Sequence, residues 1–215
     1  MKKLPADTVY FGKAATSYDK GRLGNPVTIE DDEVIQEFLS TCEINSVLID
    51  VPCGTGRATK AVLDRGLTYI GLDISSDMLQ ELERKFPNSG KLRIIESSAL
   101  SIPIEDSSSD YLVSFKFLKW LPNDDTVFLA LKEFRRVCRG RALINVKISD
   151  GKTKWSAREV VDRARKIVDR KKLGTAARVI DKSKFENMCN SAGWEIVQIK
   201  VNTASNGIVY NYFLK

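Results

Sequence analysis

The sequence predicts an α/β fold: a seven-stranded, mostly parallel sheet with helices on both faces and an antiparallel hairpin at its C-terminal end. Three observations predict it. Short apolar runs alternate with amphipathic helical patterns between residues 46 and 146, as in a parallel sheet with crossover helices. The first run, Ser46–Val51, leads directly into a glycine turn, Pro52–Gly56, and then a helical pattern. Two β-rich runs near the end, Trp194–Val201 and Ile208–Leu214, flank Asn206-Gly207, which is a strong hairpin signal.

Taken in order, residues 1–27 are polar and aromatic, interrupted by Gly12, Gly21, Gly24 and Pro26. A helix is predicted over 28–40, with Thr28 as cap, Asp31 and Asp32 favouring its first turn, and Val34, Ile35, Phe38 and Leu39 as its apolar stripe. After the first strand and its turn, Arg57–Arg65 reads as a helix that Gly66 ends. Thr68–Asp73 is a strand. Ser75 or Ser76 caps the next helix, whose face is Met78, Leu79, Leu82 and Phe86, and Pro87 stops it. Leu92–Ile95 and Asp110–Phe115 are strands. Asn123, Asp124 and Asp125 open a helix striped by Val127, Leu131, Phe134 and Val137, and Ala142–Val146 is the fifth strand. Ser183–Glu186 reads as a capping box for a helix bearing Phe185, Met188, Cys189 and Ala192.

The 215 residues suit one domain over 1–215, with an N-terminal lid or helix region at 1–40 and a helical insertion at 152–180. Thirty-four basic against 28 acidic residues give a net charge of +6, which permits an anionic partner without demanding one. There is no histidine. That excludes Ser-His-Asp triads, Cys-His pairs, histidine metal sites and an imidazole base. Cys42, Cys53, Cys138 and Cys189 form no CxxC; they read as reduced thiols of a cytoplasmic protein. No apolar h-region follows the basic start, and no run approaches a membrane span.

The glycine turn lies where ligands meet open α/β sheets, at the carboxyl end of a strand. The dinucleotide fingerprint G-x-G-x-x-G fails because Thr59 stands at its third glycine, which disfavours a nucleotide-dependent oxidoreductase. No Gly-Lys-Ser/Thr follows, so it is no P-loop. Asp73 ends the next strand. A carboxylate there can accept two hydrogen bonds from vicinal ribose hydroxyls, or can simply cap the following helix; beside the glycine turn, the nucleoside site is the better reading.

Asp50–Gly56 resembles motif I of class I S-adenosylmethionine-dependent methyltransferases, and Gly71–Leu79 resembles their second motif. Ser98–Pro103 and Asp106, followed by Asp110–Ser114, resemble the third and fourth, and Glu133–Gly140 resembles the helix and turn before their fifth strand. The resemblance runs from about residue 10 to the C-terminus. Tyr18-Asp19-Lys20-Gly21-Arg22 is similar to the Tyr-Asp-x-x-Arg pattern of the broad type 11 group, which acts on small molecules. The resemblance implies a Rossmann-like sheet and S-adenosylmethionine as cofactor, with S-adenosylhomocysteine as product. It implies that Asp50 and the backbone of Gly54 and Gly56 hold the methionine end. Asp73 would bind the ribose, and Ile74 and Leu100 would sandwich the adenine. Tyr18 and Arg22 would close over the cofactor. Pro52, Cys53, Met78, Ser98, Ala99 and Phe115 complete the expected cofactor site. Three features depart from the family: Pro52 replaces its first glycine, Ser98 replaces its adenine-binding Asp, and Lys116–Leu121 replaces a stretch that often holds histidine.

Methyl transfer by in-line displacement needs positioning and a dry pocket, and no metal. Without histidine, a proton must go to a carboxylate, Tyr or Lys, which tilts the expectation toward N- or carboxyl-type acceptors. Tyr10, Phe11, Tyr18, Lys116, Lys119 and Trp120 are the substrate-side candidates; Tyr18, Lys116 and Trp120 are the candidates for chemistry. Core packing competes for Trp120 and solvent exposure for the lysines. Residues 152–172 carry nine basic against three acidic residues, with Val160, Val161, Ala164, Ile167 and Val168 at helical spacing. This amphipathic helix is either a solvated face or a cap that draws in an anionic acceptor. The expected function is methyl transfer to a small molecule or biosynthetic intermediate. An RNA-directed enzyme, for which no RNA-binding module is visible, and a non-catalytic cofactor-binding subunit are the alternatives.

Overall fold

The structure is a computed structural model and describes residues 24–87, 89–149, 178–205 and 208–215. Eight strands among the described residues form one sheet: β1 Val47–Asp50, β2 Thr68–Asp73, β3 Leu92–Glu96, β4 Ser109–Ser114, β5 Cys138–Ser149, β6 Ile180–Asp181, β7 Ile196–Val201 and β8 Val209–Leu214. Seven run in the order β3-β2-β1-β4-β5-β8-β7, and β6 pairs with β5 off that path. The pairs from β3 across to β5 are parallel, while β8 runs antiparallel to both β5 and β7. The fold class read from the sequence is therefore present, with β6 added. Two residues are too few to show a period, and Ile180, the first of them, is the last residue of the span read as a helical insertion, 152–180. The described end of that span is not helical, since Arg178 and Val179 are irregular and Ile180 is strand; 150–177 lie outside the described residues.

Five described helices flank the sheet: α1 Pro26–Ser40, α2 Thr59–Asp64, α3 Ser76–Lys85, α4 Asp124–Val137 and α5 Lys182–Ser191. Successive strand residues face opposite layers. Leu48, Tyr69, Val113 and Leu143 pack with Phe38, Val62 and Leu82 of α1–α3. Ile49, Ile70, Leu112 and Ile144 pack with Leu131, Phe134 and Phe185 of α4 and α5. Every member of the α4 stripe, Val127, Leu131, Phe134 and Val137, is buried.

Two caps differ from expectation. α1 starts at Pro26 rather than Thr28, because Asn25 caps it: its Oδ1 accepts the Val27 amide at 3.0 Å, and Pro26, lacking an N–H, suits the first helical position. The cap of α5 is Asp181, whose Oδ1 accepts the Lys184 amide at 3.0 Å. Glu186, assigned to a capping box, instead meets Tyr212 and Lys182. Ser75 caps α3 by accepting the Met78 amide. Trp194 is not a strand residue. It is buried, and its Nε1 donates to Leu131 O at 3.0 Å.

Candidate functional site

Sheet order reverses at β1, which has β2 on one side and β4 on the other. A crevice opens at the carboxyl ends of strands at such a point. The chain leaves β1 through the cis Val51–Pro52 bond. The Cys53 amide donates to Leu72 O at 2.8 Å, and the Gly56 amide returns to Cys53 O at 3.0 Å. Gly54 has φ +54° and Gly56 φ +81°, a region that L side chains rarely adopt.

Asp73 ties this turn to β2. Its Oδ2 accepts the Gly54 amide at 2.8 Å and its Oδ1 accepts the Ser75 amide at 2.9 Å. Burial pushes its carboxyl above the ordinary aspartate value, and the Ser75, Gly54 and Ile74 amides oppose that rise. Asp50, at the end of β1, is 4% exposed and accepts the Tyr69 hydroxyl at 2.8 Å. Burial, with Asp50 beside it, pushes the Tyr69 phenol up. Burial likewise pushes the Cys53 thiol up, so Cys53 is no ready nucleophile.

One cleft with about 1070 Å³ of empty space, counted out to solvent, gathers most of the predicted positions. Asp50, Pro52, Cys53, Gly54, Asp73, Ile74, Met78, Ser98, Ala99, Leu100 and Phe115 line it, as do Lys116 and Trp120. Gly56 does not. Its amide is spent within the turn, and a Cβ on it would lie 2.2 Å from Leu82 Cδ1 and 2.6 Å from Thr59 Oγ1. The second glycine thus lets the turn pack on α3, and it is not among the residues that line the cleft. Ser98 Oγ accepts the Leu100 amide at 3.2 Å, which shapes the loop after β3. Lys119 lines a neighbouring cavity rather than this cleft. Tyr10, Phe11, Tyr18, Arg22 and the basic stretch 152–172 lie outside the described residues.

Sequence reasoning missed the wall opposite Asp73. Asp31, read only as an acid that favours a first helical turn, is wholly buried. Its Oδ2 meets Arg57 Nη1 at 2.9 Å and Lys116 Nζ at 2.8 Å. Its Oδ1 accepts from Asn202 Nδ2 at 2.6 Å and Asn145 Nδ2 at 3.2 Å. Asn145 also donates to Asn211, and Asn211 to Asn202, closing a buried ring of amides. Arg57 donates further to Asp32 and to Thr28 O, and its guanidinium lies 5.7 Å from the Phe115 ring centre. Four donors satisfy one carboxylate, which is the condition for burying a charge. Arg57 and Lys116 both line the cleft. Lys116 is therefore fixed in the wall rather than solvated. The one signal for this was an acid on the helix face that also carries Ile35 and Phe38.

Residues 49–144 match a family model described as a methyltransferase domain. The chain is 32% identical over 136 residues to the demethylmenaquinone methyltransferase of Staphylococcus carnosus, covering 60% of this chain and 54% of that protein. It is 32% identical over 133 residues to the malonyl-[acyl-carrier protein] O-methyltransferase of Xylella fastidiosa, covering 59% and 43%. The chain spans about half the length of the curated relatives it matches. In fold it is similar to magnesium protoporphyrin IX methyltransferase from Synechocystis, solved with S-adenosylhomocysteine bound. The TM-score is 0.71 at 12% identity, with 95% of each chain covered. With the ordered motifs and the sheet on the page, residues 49–144 match a methyltransferase domain, and they lie in a fold similar to that of S-adenosylmethionine-dependent methyltransferases.

Proposed function

We propose that this protein transfers a methyl group from S-adenosylmethionine to a small-molecule acceptor. The observation that carries the reading is the meeting, in one cleft, of Asp73, the Gly54 turn and the apolar pair Ile74 and Leu100. The donor set fits the cofactor. A carboxylate has about four acceptor positions; the Gly54 amide takes one on Oδ2 and the Ser75 amide one on Oδ1, and the remaining capacity suits ribose hydroxyls. A Cβ on Gly54 would meet nothing within 4 Å, so the turn is open on that side. Ile74, Met78, Ala99 and Leu100 supply apolar surface for a purine, and Ile74 is 38% exposed on its own.

When bound, the cofactor would supply a sulfonium methyl that a nucleophile displaces in line. The chain's part is positioning, which can lower such a barrier by about 7–11 kcal/mol. Asp73 would hold the ribose, Asp50 and the Gly54 backbone the methionine end, and Ile74 and Leu100 the adenine faces. Asp31 holds the Lys116 ammonium in the wall, so Lys116 would bind and orient an acceptor rather than take its proton. Trp120 and Phe117 would exclude water on the same side. An acceptor that is already nucleophilic, an amine or a carboxylate, suits this arrangement best.

A thermal-shift series tests the reading. S-adenosylmethionine and S-adenosylhomocysteine should raise the melting temperature while NAD does not, because binding to the folded state alone stabilises it. Stabilisation by NAD alone would overturn it. Binding with no transfer to any acceptor panel would leave the chain a cofactor-binding subunit.

A further inference from the structure

Tyr69 lies wholly inside the protein, and its hydroxyl donates to Asp50 Oδ2 at 2.8 Å. The strands place it there. In the parallel pair β1–β2, Tyr69 stands opposite Leu48 and Gly71 opposite Asp50. Residues two apart share a strand face, so Tyr69, Leu48 and Asp50 point into the same layer. The Tyr69 ring must therefore lean along β2, past residue 71, to reach Asp50. Gly71 leaves that path open: a Cβ on it would lie 2.8 Å from Tyr69 Cε1. A tyrosine and a glycine two residues on thus combine to deliver one phenol to the carboxyl end of β1. Asp50 lines the cleft and Tyr69 does not.

The ring packs with Leu48, Val62 and Leu82, a structural duty that phenylalanine performs as well. The hydroxyl is separable from it. Asp50 is buried, and a buried carboxylate loses hydration, which favours its neutral form unless donors meet it. A phenol whose pKa burial has raised keeps its proton at working pH and remains a donor. That hydrogen bond favours the ionised carboxylate and fixes its plane. We propose that Tyr69 is a positioning residue of the cofactor site, acting through Asp50 to aim that carboxylate at the ammonium group of the methionine end. The proposal rests on the methyltransferase reading. It concerns the aim and charge of the carboxylate, whatever else Asp50 meets.

Two ligands separate the effect of the hydroxyl from damage to the fold. S-adenosylhomocysteine carries the amino-acid end, and 5′-methylthioadenosine keeps the nucleoside and the sulfur without it. Calorimetric titration of the full chain should show Tyr69→Phe weakening S-adenosylhomocysteine about tenfold, as loss of one charge-assisted contact does. 5′-Methylthioadenosine should stay within about twofold of wild type, because it shares no partner with the lost hydroxyl. Equal losses for the two ligands mean a purely structural role, and no loss for either means an idle hydroxyl; each overturns the proposal. Should Tyr69→Phe fail to fold, Gly71→Ala decides, since its methyl displaces the phenol from Asp50. A greater loss for S-adenosylhomocysteine then supports the proposal, and an equal loss or none overturns it. A wild-type chain that binds neither ligand overturns the methyltransferase reading and this proposal with it. One that binds both, with their ratio unchanged in Tyr69→Phe, loses the proposal alone.

Discussion

Lys116 Nζ lies 2.8 Å from Asp31 Oδ2, so the residue that leaves β4 is pinned by a wholly buried carboxylate of the N-terminal helix. Asp31 pairs with two cations at once, since Arg57 Nη1 reaches the same oxygen, and Asp32 supplies Arg57 with a second carboxylate. Removing one partner of such a group strands the others in low dielectric, at a cost of about 3–5 kcal/mol. Asp31→Ala should lose that much in urea unfolding, with Asp31→Asn less affected. A change within the error of the extrapolation would mean the network contributes no net stability.

Asp73→Ala should weaken S-adenosylhomocysteine binding by about 30-fold or more, because two charge-assisted hydrogen bonds are worth about 2–4 kcal/mol. The wild type carries a pH signature as well. The folded-state carboxyl titrates above the ordinary 3.8, with burial as the cause. A raised value means this group favours the folded chain below 3.8, and that contribution is lost as pH rises through the folded-state value. Cofactor affinity runs the other way. It should rise with pH through the same folded-state value, as the carboxyl ionises. Calorimetry across the acid range checks this; a midpoint at or below 3.8 contradicts it.

The two glycines of the turn should separate in mutagenesis. Both sit at positive φ, so alanine strains each by about 1–2 kcal/mol. At Gly56 the new Cβ also falls 2.2 Å from Leu82 Cδ1, which adds roughly 1–3 kcal/mol of overpacking. Gly56→Ala should therefore unfold at lower urea than Gly54→Ala. Gly54→Ala should show chiefly as weakened cofactor binding, since its methyl meets open space beside Asp73.

All four cysteines should resist alkylation in the native protein. Burial pushes Cys42 and Cys189 to about 12 and Cys138 to about 11, and Cys53 well above its ordinary value. The thiolate is the reacting species. Iodoacetamide at neutral pH, followed by intact mass, should find no label until denaturant is added. One rapid native adduct would mark a cysteine more exposed than this packing allows.

Periodic features of the chain were legible and long-range polar ones were not. The α4 stripe, the bounds of β2 and the terminal hairpin follow from spacing that any window of residues displays. The glycine turn and Asp73 were legible because both sit at strand ends, where the chain must reverse into a helix. The role of Gly56 was not, since its neighbour Leu82 lies on a helix a whole strand later. The burial of Asp31 was hard to read for the same reason. Its partners Arg57, Lys116, Asn145 and Asn202 are scattered through the chain, and the shared helix face with Ile35 and Phe38 is the one local sign of a buried acid.

The amide ring around Asp31 draws on α1, on β5 and on the two ends of the hairpin. Arg57 and Lys116 fall inside the segment shared with the methyltransferase domain, residues 49–144, whereas Asp31, Asn145, Asn202 and Asn211 fall outside it. A chimaera that joins this segment to flanks lacking this acid and these amides would therefore leave Arg57 and Lys116 without that carboxylate, however well the motifs themselves align. Both flanks would have to be transplanted as a matched set. The same dependence would make substitutions in one flank tolerable only after compensating changes in the other.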